Sequence, residues 1–215
     1  MPAGKSSRQW LREHFSDPYV KQARQQGYRS RAAYKLLELQ KRDKLFRQGS
    51  LVIDLGAAPG GWSQVAAQQT GKNGRVIALD ILPMKPIAGV EFIQGDFTSP
   101  EVTERLRACL LDQKADWVIS DMAPDMSGVG AVDQARSIEL ANLALLFAEE
   151  VLHEQGGLLI KAFQGEDFEA LLRAMRAAFP SVLIRKPDAS RMRSREVYLL
   201  GRPARTKQAA SRKKP

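Results

Sequence analysis

The chain has 215 residues, of which 33 are Lys or Arg and 24 are Asp or Glu, giving a formal net charge of +9, and 44% of it is hydrophobic. That apolar share supports a buried core and excludes wholesale disorder, and the length fits one α/β domain with flanking arms. One cysteine, Cys109, excludes a disulfide framework and a cysteine zinc cluster, and His14 and His153 stand too far apart to suggest a metal site. No apolar run approaches the roughly 18 residues of a membrane span, and nothing at the start reads as a signal peptide, so a cytoplasmic protein is expected.

In chain order, Ser30 to Leu39 reads as a helix with Arg31, Lys35 and Glu38 on its polar face. Leu51 to Leu55 is a strand running into a glycine-rich turn, and Trp62 to Thr70 is a helix stopped by Gly71. Strands follow at Arg75 to Leu79 and Val90 to Gln94, then a helix at Glu101 to Leu111 and a strand at Ala115 to Ser120. A long helix covers Val132 to His153, a strand Gly157 to Ile160, a helix Phe168 to Phe179, and two last strands Val182 to Lys186 and Glu196 to Leu200. Strands separated by helices predict a doubly wound α/β fold with a mostly parallel sheet. The final pair has no helix between its strands, so the last strand is expected to be antiparallel.

The charge is segregated: net +8 over residues 1–50, −8 over 51–184 and +9 over 185–215. An acidic central domain (51–202) thus lies between a basic N-terminal arm (1–50) and a basic tail (203–215) expected to be disordered. Clustered cations of this kind point to a polyanion, since they neutralise phosphates and release counterions. Tyr19, Tyr28 and Tyr34 in the arm either stack a splayed base or pack the arm onto the sheet.

In such a sheet, ligands bind beyond the carboxyl ends of the strands. Those ends carry Gly56, Asp80, Asp96, Asp121 and Lys161. The turn Asp54-Leu-Gly-Ala-Ala-Pro-Gly-Gly61 lacks the G-x-G-x-x-G spacing, with Ala58 where a second glycine would admit a pyrophosphate. No P-loop lysine follows. A ligand with a ribose and an adenine but no phosphate fits better: Asp80 for the ribose hydroxyls, Asp96 for the adenine amino group, Gly60 in the turn, and Trp62 either packed against it or buried in the core. That description matches S-adenosylmethionine.

With these motifs the chain resembles the FtsJ/RrmJ-type ribosomal RNA large-subunit methyltransferases. The likeness rests on WLREHFSDPYV from Trp10, RSRAAYKL from Arg29, DKLFRQG from Asp43, DLGAAPGGWSQ from Asp54, ALDILPM from Ala78, QGDF from Gln94, SDMAPDMSG from Ser120, KAFQGEDF from Lys161 and RKPDASRMRSREVYLL from Arg185. It implies a Rossmann-like, seven-stranded methyltransferase fold and transfer of a methyl group from S-adenosylmethionine to the 2′-oxygen of a uridine in 23S ribosomal RNA. It also implies a catalytic tetrad of Lys35, Asp121, Lys161 and Glu196, and cofactor contacts at Gly60, Trp62, Asp80, Asp96 and Asp121. Two departures add negative charge: Asp125 where Asn is expected, and Asp167 where Gly is expected.

An alcohol is a poor nucleophile until it loses its proton, and Lys161 is read as the base that takes it. Lys35 then positions the ribose or stabilises charge on its oxygen, and Asp121 and Glu196 orient the lysines. Arg24, Arg29, Arg31, Lys41, Arg42 and Lys44, with Arg191, Arg193 and Arg195, are expected to form one basic surface around the site. The partner is 23S rRNA or the large ribosomal subunit, the protein a monomer, and no membrane is involved. Alternatives are a 2′-O-methyltransferase of transfer RNA or a messenger cap, and a non-catalytic RNA-binding assembly factor. A dehydrogenase lacks its second glycine, and a DNA base methylase would need an aromatic residue after Asp121-Met-Ala-Pro124.

Overall fold

The computed structural model describes residues 17–124, 127–128, 130–191 and 194–203. The Trp10 motif up to Ser16, the departure at Asp125, Arg193 and the tail beyond Pro203 lie outside them. Two helices open the described chain, α1 (Pro18–Gln26) and α2 (Ala32–Asp43). There follow β1 (Leu51–Leu55), α3 (Gly61–Thr70), β2 (Arg75–Asp80), β3 (Val90–Gln94), α4 (Pro100–Ala108) and β4 (Ala115–Ser120). The chain closes with α5 (Gly130–Val151), β5 (Leu152–Phe163), α6 (Phe168–Ala178), β6 (Ser181–Arg185) and β7 (Glu196–Arg202). The seven strands form one sheet in the order β3-β2-β1-β4-β5-β7-β6. All neighbours are parallel except β7, which inserts antiparallel between β5 and β6.

The strands β1, β4 and β5 are buried on both faces and read as nearly continuous apolar runs, as parallel strands covered by helices do. Their two-residue period divides the core. Leu51, Ile53 and Leu55 of β1, with Leu158, Ile160 and Ala162 of β5, face α4, α5 and α6. Val52, Trp117, Ile119, Leu159, Tyr198 and Leu200 face the layer of α2 and α3, where Leu36 and Leu39 of α2 are fully buried. Helix α2, within the basic N-terminal stretch, is therefore built into the core.

Helix α1 has few apolar residues and was not visible as a period, but its ends are signalled. Asp17 caps it by accepting from the Tyr19 amide at 2.9 Å, Pro18 opens it, and Gly27 closes it at φ 76°. An ion pair of 2.7 Å from Arg31 to Asp17, with Arg31 also donating to the Ala189 carbonyl at 2.5 Å, fastens α1 against the β6–β7 loop. Strand β5 begins at Leu152, earlier than Gly157, because the polar run His153-Glu-Gln155 looks like a helix end although its backbone is extended.

Candidate active site

The same two-residue period aims the chemistry. Asp54 follows Val52, Asp121 follows Trp117 and Ile119, Lys161 follows Leu159, and Glu196 precedes Tyr198 and Leu200, so all are in step with residues facing α2 and α3. Helix α2 lies over that face and supplies Lys35. Its Nζ makes an ion pair with Glu196 Oε1 at 2.6 Å, donates to Oε2 at 2.8 Å, and donates to the Tyr198 hydroxyl at 3.2 Å. Glu196 Oε1 also accepts from Ser190 Oγ at 2.8 Å.

Lys161 is 9% exposed; its Nζ lies 3.0 Å from Asp121 Oδ1 and donates to the Asp121 carbonyl. The Tyr198 hydroxyl donates to Asp121 Oδ1 at 2.8 Å, completing a chain Lys161–Asp121–Tyr198–Lys35–Glu196. All four residues of the expected tetrad therefore meet, and they are separated by as many as 161 positions in sequence. Tyr198 is the member that the sequence reading missed; its only signal was its place two residues after Glu196 on one strand. Burial, then the charges of Asp121 and Glu196, push its hydroxyl well above its ordinary pKa, so it stays a proton donor. Burial alone would raise Asp121, but Lys161, Lys35 and the Tyr198 hydroxyl outweigh it and hold the carboxyl below its ordinary range. Glu196 pairs with Lys35.

Asp54 was also missed as a site residue. It is fully buried, accepts from Ser63 Oγ at 2.6 Å through Oδ2, and leaves Oδ1 without a hydrogen-bond partner. Burial, opposed by the Ser63 bond and reinforced by Asp121 and Asp80, raises its pKa to about 7.

The glycine turn is closely packed by the protein itself. Gly56 (φ 76°) and Gly60 (φ 109°) occupy the left-handed region, and both are approached closely by protein. A Cβ at Gly56 would sit 2.6 Å from Met122 Cγ, and one at Gly60 2.6 Å from Ile87 Cδ1. The Trp62 side chain is 3% exposed, donates to the Ala32 carbonyl at 2.9 Å and lies against Tyr198, so its ring belongs to the core. Asp80 accepts from the Ala58 amide through Oδ2 and the Leu82 amide through Oδ1, each at 2.8 Å, and so fastens the turn to the end of β2. Asp96 Oδ1 accepts from the amide and hydroxyl of Thr98, each at 2.8 Å. The carboxylates retain lone pairs for a ligand. Beside Asp80 stand Ile81 and Leu82, 63% and 61% exposed, an apolar pair that the motif search passed over.

Of the two readings of the arm's tyrosines, packing holds. Tyr34 is buried, with rings of Tyr19 and Tyr28 at 5.5 and 5.8 Å, and Tyr28 and Tyr34 donate to Gln68 and Gln26. These tyrosines pack the arm onto the body. Lys41, Arg42 and Lys44 stand at the far end of α2, where the Asp43 carbonyl accepts from Arg202 at the opposite edge of the sheet, so they do not join the surface around the tetrad. Asp167, where Gly was expected, takes φ 61°, a conformation Asp tolerates better than most residues. Among the described residues no group of His, Cys, Asp and Glu is placed to hold a metal ion.

Along the carboxyl edge the strand order sets out Asp96, Asp80, the glycine turn, Asp121 and Lys161 in spatial succession. This sheet and edge define a Rossmann-like methyltransferase of the S-adenosylmethionine-dependent class. The model of the FtsJ-like methyltransferase family matches residues 28–203, and the chain belongs to that family. It is 57% identical to ribosomal RNA large subunit methyltransferase E of Marinobacter nauticus, over 94% of this chain and 98% of the relative. It is 56% identical to the protein of that name from Cellvibrio japonicus, over 94% and 96%. Among solved structures, a Plasmodium falciparum protein described as a ribosomal RNA methyltransferase superposes with a TM-score of 0.72 at 32% identity, over 82% of this chain and 98% of that one. Aeropyrum pernix fibrillarin, at 17% identity and a TM-score of 0.57 over 81% and 75%, shares the fold.

Proposed function

We propose that this protein methylates the ribose 2′-oxygen of a uridine in 23S ribosomal RNA of the large subunit, working as a monomer in the cytoplasm. The observation that carries the reading is the joined set Lys35, Asp121, Lys161, Glu196 and Tyr198 beside the glycine turn. The edge fits S-adenosylmethionine: carboxylates at Asp80 and Asp96 for hydroxyl and amino donors, exposed Ile81 and Leu82 for an aromatic face, and no pyrophosphate loop. When bound, the cofactor supplies an electrophilic methyl group on a sulfonium.

The chain's own part is alignment and proton removal. The lone pair of the Lys161 amine takes the proton of the 2′-hydroxyl. The Asp121 carbonyl and carboxylate fix that amine in place, and the Tyr198 hydroxyl fixes Asp121. Lys35, held by both oxygens of Glu196, presents a fixed positive charge to the oxygen as it becomes anionic. RNA is required because the reacting hydroxyl is absent from DNA. The test is a methyl-transfer assay with radiolabelled S-adenosylmethionine on free ribosomal RNA and on isolated large subunits lacking the modification, followed by nuclease mapping. One labelled uridine 2′-oxygen is expected; label on a base, or on transfer RNA alone, would refute the assignment.

A further inference from the structure

Beside the tetrad lies a cavity of about 470 Å³ that the transfer chemistry leaves unused. Its walls include Pro124 from the β4–α5 loop, Gln134 of α5, Phe163 and Glu166 from the end of β5 and the loop after it, and Ser194 and Arg195 before β7. Its position follows from register. Lys161 pairs across the sheet with Tyr198, and Phe163 pairs with Glu196. Phe163 is therefore in step with Lys161 on the same face, two residues further out, about 7 Å along the strand. A ribose whose 2′-oxygen lies at Lys161 Nζ has its base within reach of that ring.

The cavity is also held in shape. Gln134 Nε2 donates to the carbonyls of Phe163 at 2.8 Å and Glu166 at 3.2 Å, pinning the end of β5 and the loop after it. The neighbouring Asp133 accepts from the Ser127 amide and hydroxyl, each at 2.7 Å, and from the Gly128 amide at 3.2 Å. The Arg195 carbonyl accepts from the Gln164 amide at 3.0 Å, so the rim cation is attached to the same frame. Phe163 is only half-buried and Arg195 is exposed. A partly exposed phenylalanine and a proline in the walls and a cation at the rim suit a flat heterocycle carried on a phosphodiester.

We propose that this cavity receives the pyrimidine base attached to the acceptor ribose, stacked on Phe163 with Arg195 toward the adjoining phosphate. The inference rests on the proposed ribose methylation, and it makes Phe163 a substrate-binding residue outside the proton-transfer set. The test places 4-thiouridine at the acceptor position of large-subunit RNA, with irradiation in the presence of the full chain and S-adenosylhomocysteine. The expected adduct lies within residues 162–173, and Phe163→Ala lowers its yield at least fivefold while S-adenosylmethionine affinity is unchanged by titration calorimetry. An adduct confined to another segment, or an unchanged yield in a folded Phe163→Ala, overturns the inference. Methyl transfer to unsubstituted subunits is run alongside: its success with a displaced adduct removes only the base pocket, whereas its failure removes the methylation reading and the pocket together. The wild-type adduct map decides the matter even if Phe163→Ala does not fold.

Discussion

Asp54 sits in the middle of β1 with its carboxyl held to Ser63 and otherwise enclosed. Its pKa of about 7 in the folded chain lies above the value near 4 expected when unfolded, so the native state holds this proton more tightly. The stability it contributes is present in full below about pH 4, declines as pH rises toward 7, and is gone above that. Denaturant titrations at pH 5 and pH 8 should therefore show a smaller loss of stability with rising pH in Asp54→Asn than in wild type. Equal losses would remove the assignment. Asp121, Lys161 and Glu196, which the sequence offered as candidates, stand at or near strand ends, where a charge interrupts an apolar run. Asp54 and Tyr198 lie inside such runs, and only the pairing of β1 with β4 and of β5 with β7 shows what they face.

The elements most visible in sequence were the buried parallel strands: the limits of β1, β3 and β4 coincide with their apolar runs. What sequence did not show was how loops between elements are fastened, because those bonds go to backbone carbonyls. Arg29 is the main instance. Its guanidinium donates to the carbonyls of Lys85 at 2.6 Å, Pro86 at 2.7 Å and Pro59 at 3.3 Å, tying the segment before α2 to the β2–β3 loop and the glycine turn. It was expected on an RNA surface and is instead a clasp over the end of the turn. Hydrogen bonds from a charged donor contribute about 1.5–3 kcal/mol each to local order. Arg29→Ala is expected to weaken S-adenosylmethionine binding about tenfold by calorimetry, with Arg29→Lys recovering only part of the loss. Unchanged affinity in Arg29→Ala would show that the loop holds its place without the clasp.

At the scale of the molecule, an acidic body carries basic segments whose roles diverge. Arg31 and Arg185 are consumed in ion pairs with Asp17 and Asp43 at 2.7 Å each. Lys186 and Arg195, on the segment between β6 and β7, remain exposed near the start of β7, and Lys21 is exposed on α1. Binding to ribosomal RNA should fall linearly with salt on a double-logarithmic plot, with a slope near −0.7 to −0.9 per phosphate neutralised. Arg195→Ala should lower that slope by about one, and an unaltered slope would place the contact elsewhere. The charge blocks of the sequence announced a polyanionic partner, but which cations are free to meet it depended on which carboxylates the fold set beside them.

The central claim is that the Lys161 amine removes the proton of the ribose hydroxyl within the joined set of Lys35, Asp121, Glu196 and Tyr198. The most direct measurement is the single-turnover rate of methyl transfer by Lys161→Arg, which keeps the positive charge but cannot deprotonate near neutrality. The rate should fall by about 10²–10⁴ with S-adenosylmethionine affinity retained. A rate close to wild type would contradict the account.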